Sequence, residues 1–203
     1  MGLFSKKKDG PKDGDVKPGH DSDLPLRVAT VFAKVGHKLD DLPPSEDLDL
    51  TKERAFLSER EGMLLGLAPR GDYGPLLTAF ADYGERVTGD LASLQFGPTY
   101  SAFKRSVYDF PIEDNPIGDP KGAANAFLAI TKSHFEIVML EERIASIKKR
   151  VERLKATMAE ADPGEVLATL RNLQGEKLQC EDRLMKANQS LDRMRIALQM
   201  TLS

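Results

Sequence analysis

The sequence predicts an all-α fold, an elongated antiparallel helical bundle with coiled-coil packing that is expected to be dimeric. Charged residues make up 30% of the 203 residues and aromatic residues 6%, a composition typical of long helices rather than of a β-rich core. Two long segments carry apolar residues at a sustained 3.5-residue spacing, which is the coiled-coil signature. A short turn at 161–164, Ala-Asp-Pro-Gly, separates these segments and makes them antiparallel neighbours.

The first 23 residues are rich in Lys, Asp, Gly and Pro, and we expect them to be disordered. They carry too little apolar surface to offset the entropy lost on ordering. Their start is different, because the apolar residues Leu3 and Phe4 precede a basic cluster of Lys6, Lys7 and Lys8. An apolar tip beside a basic cluster suits insertion at an anionic membrane surface, and a soluble tail is the alternative. N-myristoylation of Gly2 is not favoured, since Lys6 stands where that motif requires Ser or Thr.

Residues 24–42 are predicted to form a short amphipathic helix, and residues 50–203 the coiled-coil domain. Asp49 or Thr51 is expected to cap the first helix of that domain. A second helix is predicted at about 75–95, with Gly84 in its apolar seam permitting the close approach of one partner helix.

Residues 97–120 contain four prolines and are the least regular part of the domain. Their aromatic and aliphatic residues predict a helical piece that ends before Pro111, and residues 111–120 are predicted to be a loop.

The two arms at 121–158 and 163–203 carry the strongest pattern in the chain. A second apolar stripe through Phe127, His134 and Val138 widens the first arm, so the helix near 75–95 is expected to pack there and form a three-helix bundle. We predict that the exposed remainder of such wide faces is hidden by a homodimer. The predicted coiled-coil core consists of Ile137, Leu140, Ile144, Ile147, Val151, Leu154, Leu170, Leu173, Leu184, Leu191, Met194 and Leu198.

No arrangement of residues in the sequence predicts catalysis. The phosphate-loop, dinucleotide-binding, HExxH and GxSxG motifs are all missing. We interpret His134 as a packed helix histidine with a partner, and Cys180 as a small core hydrophobe. Glu113 and Asp114 are interpreted as part of a solvated loop rather than a metal site. The protein is therefore expected not to be an enzyme and to need no cofactor or metal.

The charges are unevenly distributed along the chain. Residues 40–120 carry seven basic and 16 acidic side chains, whereas residues 121–158 carry eight basic and four acidic side chains. Within the basic segment, a run of cations near the end of the first arm is the candidate membrane-binding surface, together with the basic N-terminal cluster. That run consists of Lys148, Lys149, Arg150 and Arg153.

Four stretches resemble the BAR domain superfamily, most closely its sorting-nexin type: 55–68, 77–94, 135–158 and 165–198. The resemblance covers about residues 50–202. It implies a crescent-shaped dimer whose basic concave face binds curved anionic membranes, with the cations of the first arm facing the membrane. It also implies an inserting amphipathic segment, for which residues 1–8 or 25–39 are the candidates.

The expected function is that of a non-enzymatic peripheral membrane protein that binds or senses curved anionic membranes as a helical dimer, in vesicle or endosomal trafficking. Its expected partners are a second copy of itself and anionic phospholipids or phosphoinositides, with no nucleic acid. Its expected location is the cytoplasm, with peripheral membrane attachment. The alternative is a cytosolic coiled-coil adaptor that binds other proteins, including other coiled coils, without membrane contact.

Overall fold

A computed structural model describes residues 23–42, 49–90, 96–157 and 162–203. Within these ranges the chain forms six α-helices and no strand, which confirms the predicted all-α class. The helices are α1 (Leu24–Asp40), α2 (Leu50–Leu67), α3 (Gly74–Asp90), α4 (Phe96–Tyr108), α5 (Pro120–Ala156) and α6 (Pro163–Leu202).

Three helices begin at an aspartate that caps free backbone N–H groups. The Asp49 carboxylate accepts hydrogen bonds from the amides of Thr51 and Lys52 at 3.1 and 3.2 Å. Of the two residues that the sequence offered, Asp49 and not Thr51 is therefore the cap of α2. Asp119 and Asp162 do the same for α5 and α6, and each is followed by a proline at the first helical position. The Asp-Pro pairs therefore mark where the two long helices start.

Helices α5 and α6 form an antiparallel hairpin. The Arg143 guanidinium pairs with Glu176, and the Arg183 guanidinium lies 3.2 Å from Glu136, so both pairs define the same register. Every predicted coiled-coil position is buried or half-buried. The buried ones are Ile137, Leu140, Ile144, Ile147, Leu173, Leu191 and Leu198, and the half-buried ones are Val151, Leu154, Leu170, Leu184 and Met194.

A chain of aromatic rings joins the other helices to this hairpin. Phe80 of α3 stacks on Phe32 of α1 at 5.6 Å between ring centroids and meets Phe103 of α4 at 6.1 Å. Phe110, just after α4, lies edge-on to Phe80 at 5.9 Å and to Phe127 of α5 at 5.2 Å. These rings place one hydrophobic core at the end of the hairpin that holds the start of α5 and the end of α6.

The predicted three-helix bundle is wrong in its number of helices. Helices α1, α2 and α4 join α3, α5 and α6 in the same hydrophobic core. The boundary between an amphipathic helix at 24–42 and a bundle from residue 50 therefore does not separate two cores. The core is shared because the apolar residues of α1 pack against α2 and α3.

Helices α1 and α3 approach closely at Gly84. A Cβ atom built on Gly84 would lie 2.5 Å from Cγ1 of Val31, and Val31 itself is fully buried. The sequence predicted a close approach at this glycine, and the structure identifies α1 as the partner helix.

We expect Gly84→Ala to destabilise the fold by about 1–2 kcal/mol. Overpacking costs about 1–3 kcal/mol, and the better helix propensity of alanine returns up to about 1 kcal/mol. Urea unfolding measures the change, with Gly62→Ala as control because, apart from the neighbouring backbone of α2, no atom of the described residues lies within 4 Å of its added Cβ. When Val31 is already replaced by alanine, the Gly84→Ala change should lower the free energy of unfolding by less than it does in the wild type. An equal loss in both backgrounds would show that the contact with Val31 is not the cause.

The loop after α4 is held by the short 3₁₀ turn Gly71–Tyr73 and the residue before it. Arg70 donates to the carbonyl oxygens of Glu113 and Asn115 at 2.6 and 2.7 Å. The Tyr73 hydroxyl accepts from the Glu113 amide at 2.7 Å, and Asp72 accepts from the Ile117 amide at 2.8 Å. These bonds hold the proline-rich residues 111–117 against the start of α3.

Candidate membrane-binding surface

The basic tip consists of Lys148, Lys149, Arg150 and Arg153, all on the last turns of α5. The heptad residues Ile147, Val151 and Leu154 face α6, so the residues between them face solvent. All four basic side chains are exposed. Among the residues that the structure describes, none of the four forms an ion pair, and their charges stay available to a ligand.

The four cations do not all share one face. At 3.6 residues per turn, Lys149, Arg150 and Arg153 fall within an arc of about 100°, and Lys148 lies about 100° beyond Lys149. The structure thus brings three of the predicted residues together and sets Lys148 apart.

Helix α6 contributes one further cation to this region. Continuing the register of the two interhelical ion pairs places Arg171 level with Lys148. Arg171 is exposed and has no ion pair within the described ranges. Lys177, Arg183 and Lys186 are paired with Glu181, Glu136 and Asp182 instead. The acids paired with Lys177 and Lys186 lie four residues away on α6, and Glu136 lies on α5.

The other predicted membrane contacts differ in what the structure says of them. Lys6, Lys7, Lys8, Leu3 and Phe4 lie outside the described residues. Residues 25–39 lie within helix α1, and the apolar face of this helix is buried. Its residues Val28, Val31, Phe32 and Val35 are each at most 3% exposed. That face packs against protein and is not available for insertion into a membrane.

His134 belongs to a buried polar group between α5, α4 and α6. Its side chain is 2% exposed, and its Nε2 lies 2.7 Å from Oδ2 of Asp109, which also accepts from Arg195 Nη2 at 2.8 Å. Burial raises the pKa of Asp109, but the bonds from His134 and Arg195 outweigh it and hold that pKa below its usual range.

A paired carboxylate and histidine also occur in nucleophilic enzymes, where the second ring nitrogen contacts a hydroxyl or thiol. Here His134 Nδ1 is buried without a hydrogen-bond partner among the described residues. The interpretation of His134 as a packed histidine with a partner is confirmed, and its sequence neighbours gave no sign that Asp109 would be that partner.

Three further observations bear on the class of site. In the described ranges, no three His, Cys, Asp or Glu side chains come together as a metal site would require. None of the described helices is long and apolar enough to cross a membrane. The chain matches no protein-family model, no curated protein and no solved structure.

Proposed function

We propose that this protein is a non-enzymatic peripheral membrane protein of the cytoplasm that binds anionic membranes through the basic tip of the α5–α6 hairpin. The observation that carries the proposal is the cluster of Lys149, Arg150 and Arg153 on one exposed arc, without acidic partners in the described structure. The action on curved vesicle or endosomal membranes and the likeness to BAR domains remain predictions from the sequence.

The arrangement suits a lipid surface for an electrostatic reason. Each Lys or Arg near an anionic leaflet contributes about 1 kcal/mol, and several of them act together on one extended charged surface. Lys155 is less available, because its ammonium lies 2.9 Å from Glu152. Membrane attachment by three to five exposed cations should weaken as salt rises, because dissolved ions screen the attraction between exposed charges beyond about a Debye length.

The second candidate function is a coiled-coil adaptor that binds proteins only. It is favoured by large apolar side chains that remain exposed along α6, among them Leu178 and Ile196. Vesicle binding separates the two functions, since an adaptor has no affinity for lipid.

We expect the chain to sediment with phosphatidylserine or phosphoinositide vesicles at low salt and to leave them as salt rises. The triple variant Lys149→Glu, Arg150→Glu, Arg153→Glu should bind at least 100-fold more weakly, because about 1 kcal/mol is lost at each position and 1.4 kcal/mol is tenfold. Co-sedimentation measures the partition between vesicles and solution.

The matched control reverses three exposed lysines elsewhere, Lys34→Glu, Lys121→Glu and Lys132→Glu, for the same change in net charge. It should keep most of the binding. Equal loss in both triple variants would assign the effect to net charge, and no binding of the wild-type chain at low salt would reject the membrane function.

A further inference from the structure

Helix α6 carries a second apolar stripe on the side that faces away from α5. Its five members are 47% to 75% exposed: Leu167, Leu178, Met185, Ile196 and Met200. At about 100° per residue, these side chains fall within an arc of about 60°, which lies roughly 140° from the buried residues Leu173 and Leu191. We call this set the outer stripe.

The outer stripe is not explained by packing within one chain. Helix α6 packs on α5 through its other face, where Leu173, Leu191 and Leu198 are at most 5% exposed. Single exposed apolar residues are ordinary on a protein surface, but five of them aligned along one 40-residue helix mark an interaction surface.

We propose that the outer stripe is the interface at which a second copy of this chain docks. The sequence predicted that a dimer hides the apolar surface that remains after the helix near 75–95 has packed on the first arm. That face of α5 is covered by α3 and α4, and Phe127, His134 and Val138 are each at most 3% exposed. The surface left for a partner is therefore on α6 and not on α5.

Charge favours a second copy over the other occupants. Exposed charges of both signs lie within the arc or next to it: Arg171, Lys186 and Arg193 against Asp182 and Asp192. In an interface between identical surfaces, each patch must complement itself, and a patch that carries both signs can do so. An anionic membrane would instead be repelled by Asp182 and Asp192, and a partner of one sign would leave the residues of that same sign unmatched.

The composition of the stripe also sets the expected strength. Arg171, Asp182 and Gln189 interrupt the apolar residues on the same arc, and polar or charged residues in a helical seam lower the stability of the assembly. We therefore expect a dimer that forms and dissociates with concentration rather than a permanent one.

Sedimentation equilibrium of the full chain without vesicles tests the proposal, so its result does not depend on membrane binding. The wild-type mass should rise with concentration from 22.4 kDa toward twice that value. Leu178→Glu with Met185→Glu should stay at the monomer mass, because two charges would be buried at the seam. Both positions are exposed in the monomer, so circular dichroism should show unchanged helix content.

The matched control places the same two charges on α6 away from the stripe, Asn172→Glu and Gln179→Glu, both at exposed positions. It should dimerise as the wild type does. The uncharged variant Leu178→Ala, Met185→Ala should shift the monomer–dimer midpoint to higher concentration. A wild-type mass that stays at 22.4 kDa, or stripe variants that associate as the wild type does, would overturn the proposal.

Discussion

Replacing Phe80 with alanine is expected to lower the free energy of unfolding by about 4 kcal/mol, in the 3–5 kcal/mol range for a buried phenylalanine. The Phe80 side chain is fully buried and contacts rings from α1, α4 and the segment after α4. Its loss leaves a cavity at the point where three parts of the chain meet. Domains of this size are stable by about 5–15 kcal/mol, so the change removes a large share of the total.

Urea unfolding followed by circular dichroism measures this loss. Phe80→Leu should cost clearly less, because the smaller change in volume leaves a smaller cavity. Leu26→Ala is the control, since Leu26 is 68% exposed on α1 and its truncation should change stability by less than about 0.5 kcal/mol. A loss below about 1 kcal/mol for Phe80→Ala would contradict the central position of this ring.

Removing the Asp109 carboxylate is expected to cause the second large loss in the free energy of unfolding. We expect Asp109→Ala to cost about 3 kcal/mol, the lower end for breaking a buried pair, because its side chain is 16% exposed. The change leaves His134 Nε2 without its acceptor, in a site where no described residue forms a hydrogen bond with Nδ1. Chemical unfolding at pH 7 measures it, and Asp192→Ala on α6 is the exposed control.

The Asp109 carboxylate also makes the stability of the fold depend on pH. Hydrogen bonds hold the pKa of Asp109 below its usual range in the folded chain, so the unfolded chain takes up protons first as the pH falls. The contribution of Asp109 is complete above about pH 5, falls through the unfolded pKa near 4, and is gone below the folded pKa. In Asp109→Asn, the loss of stability between pH 5 and 3 should be smaller, and an unchanged slope would assign it to other carboxylates.

The helical class and the two arms could be predicted because their information is local. Apolar residues every three and four positions, Asp-Pro at both helix starts and the turn before α6 act within a few residues of chain. The basic tip followed from the same local pattern, since Lys148, Lys149, Arg150 and Arg153 occupy the positions that the heptad leaves to solvent. Each of these features is set by periodicity along one helix.

The partners of those helices could not be predicted in the same way. The second apolar stripe through Phe127 and His134 showed that α5 needed another helix, and several segments were apolar enough to supply it. Only the packed structure puts Asp109 next to His134, although 25 residues separate them along the chain. Periodicity shows that a face is covered but does not identify the residue that covers it.

The sequence by itself determined the all-α class, the bounds of the hairpin and the exposure of the basic tip, because each depends on neighbours in one helix. The tertiary structure decided three other features. It buried the apolar face of α1 against α2 and α3, it placed Asp109 beside His134, and it kept the outer stripe of α6 exposed. All three depend on which helix lies beside which, and that is decided by the volume and charge of residues far apart in the chain.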